Sequence, residues 1–242
     1  MRKLIFAGIL FWLLTPLIAQ QKVSFFAADS LKITADLYLK DIKLPFILLF
    51  HQGDASRGEY LEIAPRLLKL DYNCLAVDLR FGGKINYTTN ETALAAEAGR
   101  FNRSMLSSMQ DIEAAMRYAK KYNSYSPVLM GSSYSASLCL LKAADNKHVK
   151  AVIAMSPGEY FRPEVVIKDS ISSIAVPLFI SATKLEYDFV RQMLSQISQE
   201  SIHFFHPGSA RGDHGAKMLW ESGTSSDQCW LELLLFFKKI RY

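Results

Sequence analysis

The sequence predicts an α/β protein, with a mostly parallel central sheet of about eight strands and helices on both faces. Two observations carry that prediction. Continuous apolar runs such as Phe46-Ile47-Leu48-Leu49-Phe50 and Cys74-Leu75-Ala76-Val77 have the pattern of strands buried on both sides, as in a parallel sheet between two helical layers. Helical stretches separate such runs along most of the chain, and strands that alternate with helices pair in parallel through crossovers.

Taken in order, the chain opens with Arg2 and Lys3, an apolar run from Leu4 to Leu14, and then Thr15, Pro16 and Ala19. That is the layout of a secretory signal peptide, assigned to residues 1–20 with cleavage near Ala19 or Gln20. The run is shorter than the about 20 apolar residues a spanning helix needs, and no cysteine follows it to carry a lipid. The expectation is a secreted or periplasmic protein with no stable membrane insertion after cleavage. Residues 21–242 read as a single domain, since 242 residues at 50% hydrophobic and 21% charged supply one large core.

Residues 23–26 and 31–39 read as an opening hairpin, the second strand alternating through Leu31, Ile33, Ala35, Leu37 and Leu39. The strand at 46–50 ends in the polar loop His51-Gln52-Gly53-Asp54. An amphipathic helix over 59–70, interrupted by Pro65, leads to the strand at 74–77, which ends at Asp78 and Arg80. Residues 81–108 break the rhythm with Gly82-Gly83, Tyr87-Thr88-Thr89-Asn90 and a short helix over 91–98 that Asn90 caps. That segment reads either as a cap over a pocket or as a surface excursion. Beyond it come a helix over 109–122, a strand from Pro127 into small residues, a helix over 136–144, strands at 149–154 and 177–182, a helix over 187–197, a strand at 202–206 and a last helix over 227–240.

The formal charge of +5 falls to +3 once Arg2 and Lys3 are removed, and the remaining basic residues are scattered, which gives nucleic-acid binding no support. Cys74, Cys139 and Cys229 are widely spaced in apolar surroundings, which suits neither a zinc site nor a disulfide framework. They read as buried thiols, of which an oxidising compartment could pair two. No cofactor or metal site is expected.

The chemistry centres on Pro127-Val128-Leu129-Met130-Gly131-Ser132-Ser133-Tyr134-Ser135-Ala136. A serine that projects its hydroxyl from a strand-to-helix corner needs small neighbours two positions away on either side. Only Ser133, flanked by Gly131 and Ser135, fits that register; the competing reading is a serine-rich helix N-terminus that caps backbone N–H groups. A serine needs a base, and the base needs a carboxylate to orient it. Of the five histidines, His203 lies inside a strand, His206 at its end, His148 at the opposite end of the sheet and His51 in a loop it would hold; His214, in Gly212-Asp213-His214-Gly215 beyond the last strand, is the candidate base. Glu186, four residues past the strand at 177–182, is the favoured acid, with Asp188 and then Glu159 as alternatives. The oxyanion donors fall to the backbone N–H of Tyr134, at a helix N-terminus, and to that of Gly53, with Gln52 as the alternative. Tyr87, Phe101, Met105, Tyr160 and Phe161 are candidates for an apolar acyl pocket or for plain core, and Arg80, Arg100 and Arg103 for reading an acidic substrate group or for solvated surface.

The order of strand, His-Gln-Gly loop, small-x-Ser-x-small elbow, acid and His-Gly resembles the α/β-hydrolase superfamily over nearly the whole mature chain, and within it the dienelactone-hydrolase-like and carboxylesterase-like members. The resemblance implies a three-layer α/β-hydrolase fold, Ser133 as nucleophile, His214 as base, an acid after the strand at 177–182, and an oxyanion hole at Gly53 and Tyr134. Three positions depart from the usual pattern: Gln52 and Ser135 stand where many members carry glycine, and Leu185 where an aspartate often stands, one residue before Glu186. The activity so implied is hydrolysis of small carboxylic esters through an acyl-enzyme. A peptidase or acyltransferase would use the same residues, and a binding protein could keep the fold without turnover.

Overall fold

The computed structural model describes residues 20–145 and 148–241. The stretch read as a signal peptide lies outside the described residues, apart from Gln20. The main sheet has eight strands: β1 (Gln20–Phe26), β2 (Lys32–Tyr38), β3 (Phe46–Phe50), β4 (Asn73–Val77), β7 (Val128–Ser132), β8 (Ala151–Met155), β9 (Leu178–Ser181) and β10 (Ile202–Phe205), in the spatial order β1-β2-β4-β3-β7-β8-β9-β10. Pairing is antiparallel from β1 to β2 and from β2 to β4, and parallel from β4 through to β10. A separate short hairpin, β5 (Lys84–Ile85) and β6 (Thr88–Thr89), lies in the segment after β4.

Alternate residues of the central strands enter two separate cores. Leu48, Leu75 and Leu129 face the layer of α2 (Glu91–Ala98), α3 (Met109–Ala119), α4 (Tyr134–Asp145), α5 (Ile167–Ser170) and α6 (Tyr187–Met193). Leu49, Ala76 and Met130 face α1 (Ile63–Leu68) and α7 (Ser226–Lys239). Burial on both faces is why these strands carry uninterrupted apolar runs. The helix expected over 59–70 is two pieces: a 3-10 turn, Arg57–Tyr60, and then α1. Pro65 falls in the first turn of α1, where backbone N–H groups have no partner in the helix to lose.

The sheet grows from β3 to β4 and then reverses, with β7 returning on the other side of β3. The loops that follow β3 and β7 therefore part in opposite directions and leave a crevice at the carboxyl ends of the strands. Residues 81–108 dock beside the β3 loop: Gly83 N–H donates to Ala55 O at 2.7 Å, and Asn90 Nδ2 donates to Leu79 O at 2.9 Å. Asn90 also caps α2 by accepting from Ala93 N–H at 2.7 Å. Arg80 is neither solvated nor turned to a ligand. Its guanidinium is fully buried, bonded to Asp111 at 2.8 Å and Asp29 at 2.7 Å, and it ties β4 to α3.

Removing one partner of a buried ion pair leaves the other charge uncompensated. Asp111→Ala is therefore expected to destabilise the fold by about 3–5 kcal/mol, measured by urea unfolding. A loss below about 1 kcal/mol, the usual scale of an exposed pair, would show that Asp29 alone satisfies Arg80.

Candidate active site

Ser133 stands alone between the last residue of β7 and the first of α4, with a left-handed φ of +59°. Its amide still continues the sheet by donating to Met155 O at 2.8 Å, so the chain has one residue in which to turn from strand to helix. That turn brings α4 close to β7. A Cβ at Gly131 would lie 2.5 Å from Ala136 N and from Ser135 C and O, so glycine is required there. Ser135, in contrast, uses its side chain: Oγ donates to Phe50 O at 2.7 Å and accepts from Ser132 N–H at 2.9 Å, joining β3 to the elbow.

The candidate acid and base meet in one hydrogen bond beyond the carboxyl ends of β9 and β10. His214 Nδ1 lies 2.5 Å from Glu186 Oε1. Thr183-Lys184-Leu185-Glu186 closes as a capping box: Thr183 N–H donates to Glu186 Oε2 at 2.9 Å, and Glu186 N–H to Thr183 Oγ1 at 3.3 Å. Ser156 Oγ donates to Oε2 at 2.8 Å and accepts from Gly215 N–H at 3.0 Å, so one hydroxyl steadies both Glu186 and the residue after His214. Burial works against ionisation of Glu186, but the bonds from His214, Thr183 and Ser156 outweigh it and hold the carboxyl down at about 2. Asp188 is exposed on the first turn of α6. Glu159 accepts from the N–H groups of Ile167 and Lys168, both at 2.9 Å, at the start of α5. Of the three candidate acids, only Glu186 bonds to His214.

After β3, His51 is fully buried: Nδ1 donates to Gln52 O at 2.8 Å and Nε2 accepts from Leu79 N–H at 2.9 Å. Burial pushes its imidazole down to about 4, so it is a neutral brace for the loop. The Gln52 N–H is taken up by Glu59 Oε2 at 2.8 Å. The amides of Gly53 and Tyr134, the expected oxyanion donors, make no hydrogen bond among the described residues. His203 pairs with Glu232 at 2.7 Å and stacks on Phe179, away from Ser133.

Ser133 is 8% exposed, and its Oγ donates to Tyr160 OH at 3.1 Å; among the described residues no hydrogen bond joins it to His214. Tyr160 also helps to line a cleft of about 500 Å³ with Pro157, Gly158, Arg162, Glu186 and Phe189. The other proposed pocket residues lie elsewhere. Tyr87 is 99% exposed at the β5–β6 hairpin, Phe161 is buried in the core, and Phe101 and Met105 pack against it. Arg103 pairs with Glu97 at 3.5 Å, and Arg100 lies exposed just past α2. The sequence reading missed Ser156, Glu59 and the Thr183 cap. Only the last had a local signal, the Thr-x-x-Glu spacing. All three cysteines are free and buried, and burial pushes their thiols up.

The fold is that of the α/β-hydrolases. An esterase of Pyrococcus furiosus superposes with a TM-score of 0.68 at 16% identity, covering 92% of this chain and 93% of its own. A dienelactone hydrolase of Anabaena variabilis gives 0.69 at 16% identity over 93% and 99% of the two chains. The esterase domain of a Rhodothermus marinus protein gives 0.61 at 17% identity over 93% and 99%. No protein-family model and no curated protein matches the sequence.

Glu186 is held below its ordinary value of 4.5, so its ionised form stabilises the folded chain fully above that pH, and the contribution is lost as the pH falls towards 2. Thermal unfolding followed across this range should show the melting temperature of the wild type dropping more steeply than that of Glu186→Gln. Parallel curves would contradict the assignment.

Proposed function

We propose that the protein is a serine hydrolase that cleaves carboxylic esters through an acyl-enzyme on Ser133. The observation that carries this reading is the left-handed Ser133 at the β7–α4 corner, at the same sheet end as the His214–Glu186 pair. Ser133 Oγ first turns from Tyr160 towards His214. It then attacks the ester carbonyl as its proton passes to His214 Nε2, and Glu186 steadies the imidazolium through Nδ1. The carbonyl oxygen becomes an oxyanion between the N–H groups of Gly53 and Tyr134, the latter favoured also by the dipole of α4. Collapse breaks the ester C–O bond, and the leaving alkoxide takes the proton from His214. Water, deprotonated by the same imidazole, then releases the acid and restores the Ser133 hydroxyl. The cleft beside Tyr160 and Phe189 suits a small organic ester. The proposal includes export to the periplasm or medium, supported by the sequence pattern at residues 1–20.

A fluorophosphonate bonds to an activated serine, and intact mass reads the result. One adduct on the wild type and none on Ser133→Ala is expected; no adduct on a folded wild type would overturn the enzyme reading. Glu186→Gln should lower kcat for a p-nitrophenyl ester by about 10²–10⁴, while Asp188→Asn stays within about twofold. The reverse pattern would move the acid to α6. Tyr160→Phe removes the hydroxyl that competes with His214 for Ser133, and phosphonylation should then run as fast as the wild type or a few times faster, about 0–1 kcal/mol of barrier.

A further inference from the structure

Glu59 is fully buried behind Ser133, in the 3-10 turn after β3, and it touches neither the cleft nor the nucleophile. Its two carboxyl oxygens serve different loops. Oε2 accepts from Gln52 N–H at 2.8 Å, the amide next before the oxyanion donor Gly53. Oε1 accepts from Ser132 Oγ at 2.8 Å, the residue next before the nucleophile. Ser132 Oγ in turn accepts from Ala216 N–H at 2.9 Å, two residues past His214. The backbone of the turn that carries Glu59 is tied down as well, because Trp220 Nε1 donates to the main-chain carbonyl of Glu59 at 2.9 Å. Gly215 completes the fit: its φ is +69°, and a Cβ there would collide with Ser132 Oγ.

We propose that Glu59 is a positioning residue for the Ser133 site, an interior carboxylate that fixes the oxyanion loop, the nucleophile elbow and the histidine loop in one register. This inference rests on the serine-hydrolase reading. Both contacts demand an acceptor: the Gln52 amide can only donate, and Ser132 Oγ, already accepting from Ala216, has its own proton to give. The ionised carboxylate accepts both with bonds stronger than neutral ones. A glutamine, or a protonated Glu59, presents one donor instead, and the Ser132 hydroxyl has to turn away. The titratable groups around it are Lys217 and His214 from the segment after β10, and the buried phenols of Tyr60 and Tyr134, none of which bonds to its carboxyl. With only neutral donors as partners, burial pushes Glu59 up to about 7. The fold therefore favours the protonated form, and stability declines as pH rises from 4.5 to about 7, where the form that positions the loops takes over.

The test compares wild type, Ser133→Ala, Glu59→Gln and Ser132→Ala on a p-nitrophenyl ester from pH 6 to 9, with melting temperatures, as ~0.5 unit steps. At pH 8, Glu59→Gln should keep KM within about twofold and lose kcat by about tenfold or more, since misplaced oxyanion donors act on the transition state. It should melt no lower than the wild type, and the two kcat values should converge towards pH 6. Wild-type kcat in Glu59→Gln at pH 8, or a ratio independent of pH, overturns the proposal. If Glu59→Gln does not fold, Ser132→Ala cuts the same strut from its other end: a fall in kcat at constant KM supports the proposal, and unchanged kcat overturns it. A wild type that, like Ser133→Ala, neither turns over the ester nor takes a fluorophosphonate overturns the hydrolase reading and this inference with it.

Discussion

At the end of β7 the chain has one residue in which to leave a strand buried between β3 and β8 and enter a helix that packs back on them. That residue, Ser133, takes a left-handed φ, which costs a non-glycine residue about 1–3 kcal/mol and persists only where its surroundings over-determine it. Here they do. The Ser133 amide is tied to β8, Gly131 leaves no room for a Cβ beneath the first turn of α4, and the Ser135 hydroxyl ties that turn to Phe50 at the end of β3. The strained corner sets the Oγ on the crevice side, and the next amide, Tyr134 N–H, makes no hydrogen bond among the described residues. A straighter exit from β7 would lose the placement of the Ser133 hydroxyl and of that amide together.

Two glutamates near this corner show how one residue type takes opposite states. Glu186 is partly open to solvent and has donors from Thr183, Ser156 and the His214 ring, and its carboxyl is held at about 2. Glu59 has two donors of similar length but no solvent and no bonded cation, and it is pushed up to about 7. Burial decides the difference, because two neutral hydrogen bonds do not replace the hydration of a carboxylate. Other interior charges among the described residues, such as Arg57 with Asp36 and Asp78 and Arg80 with Asp111, face opposite charges and serve as ties between elements. Such pairs fix geometry more than they add stability.

What was legible in the sequence depended on how local the cause is. The strand at 46–50 and the helix at 91–98 have the bounds that the apolar run and the Asn90 cap indicate, because burial on both faces and capping are written within a few residues. The register of Ser133 was legible for the same reason: crowding at Gly131 and Ser135 is a matter of two positions either way. Glu59 was not, since its partner Ser132 is 73 residues distant and nothing near position 59 reveals it. Arg80 likewise meets Asp111 across 31 residues. Tyr87 and Tyr160 look alike as sequence, yet one stands in solvent on a hairpin and the other bonds to Ser133, a difference set by which loop returns to the crevice.

The departures from glycine at 52 and 135 follow from the same geometry. Glycine suits crowded loops because it has no side chain, but a small polar side chain serves equally where its atoms complete hydrogen bonds that the backbone leaves open. Ser135 Oγ meets the carbonyls of Phe50 and Ser132 and the amide of Ser132, so the added atom joins two strands' ends where glycine would leave them to the backbone alone. Gln52 turns its amide N–H inwards to Glu59, and its side-chain Oε1 lies 3.5 Å from where a Cβ on Gly215 would stand. Bulk at 52 thus meets the absence of bulk at 215. The loop after β3 and the loop that carries His214 are fitted to each other through that exchange.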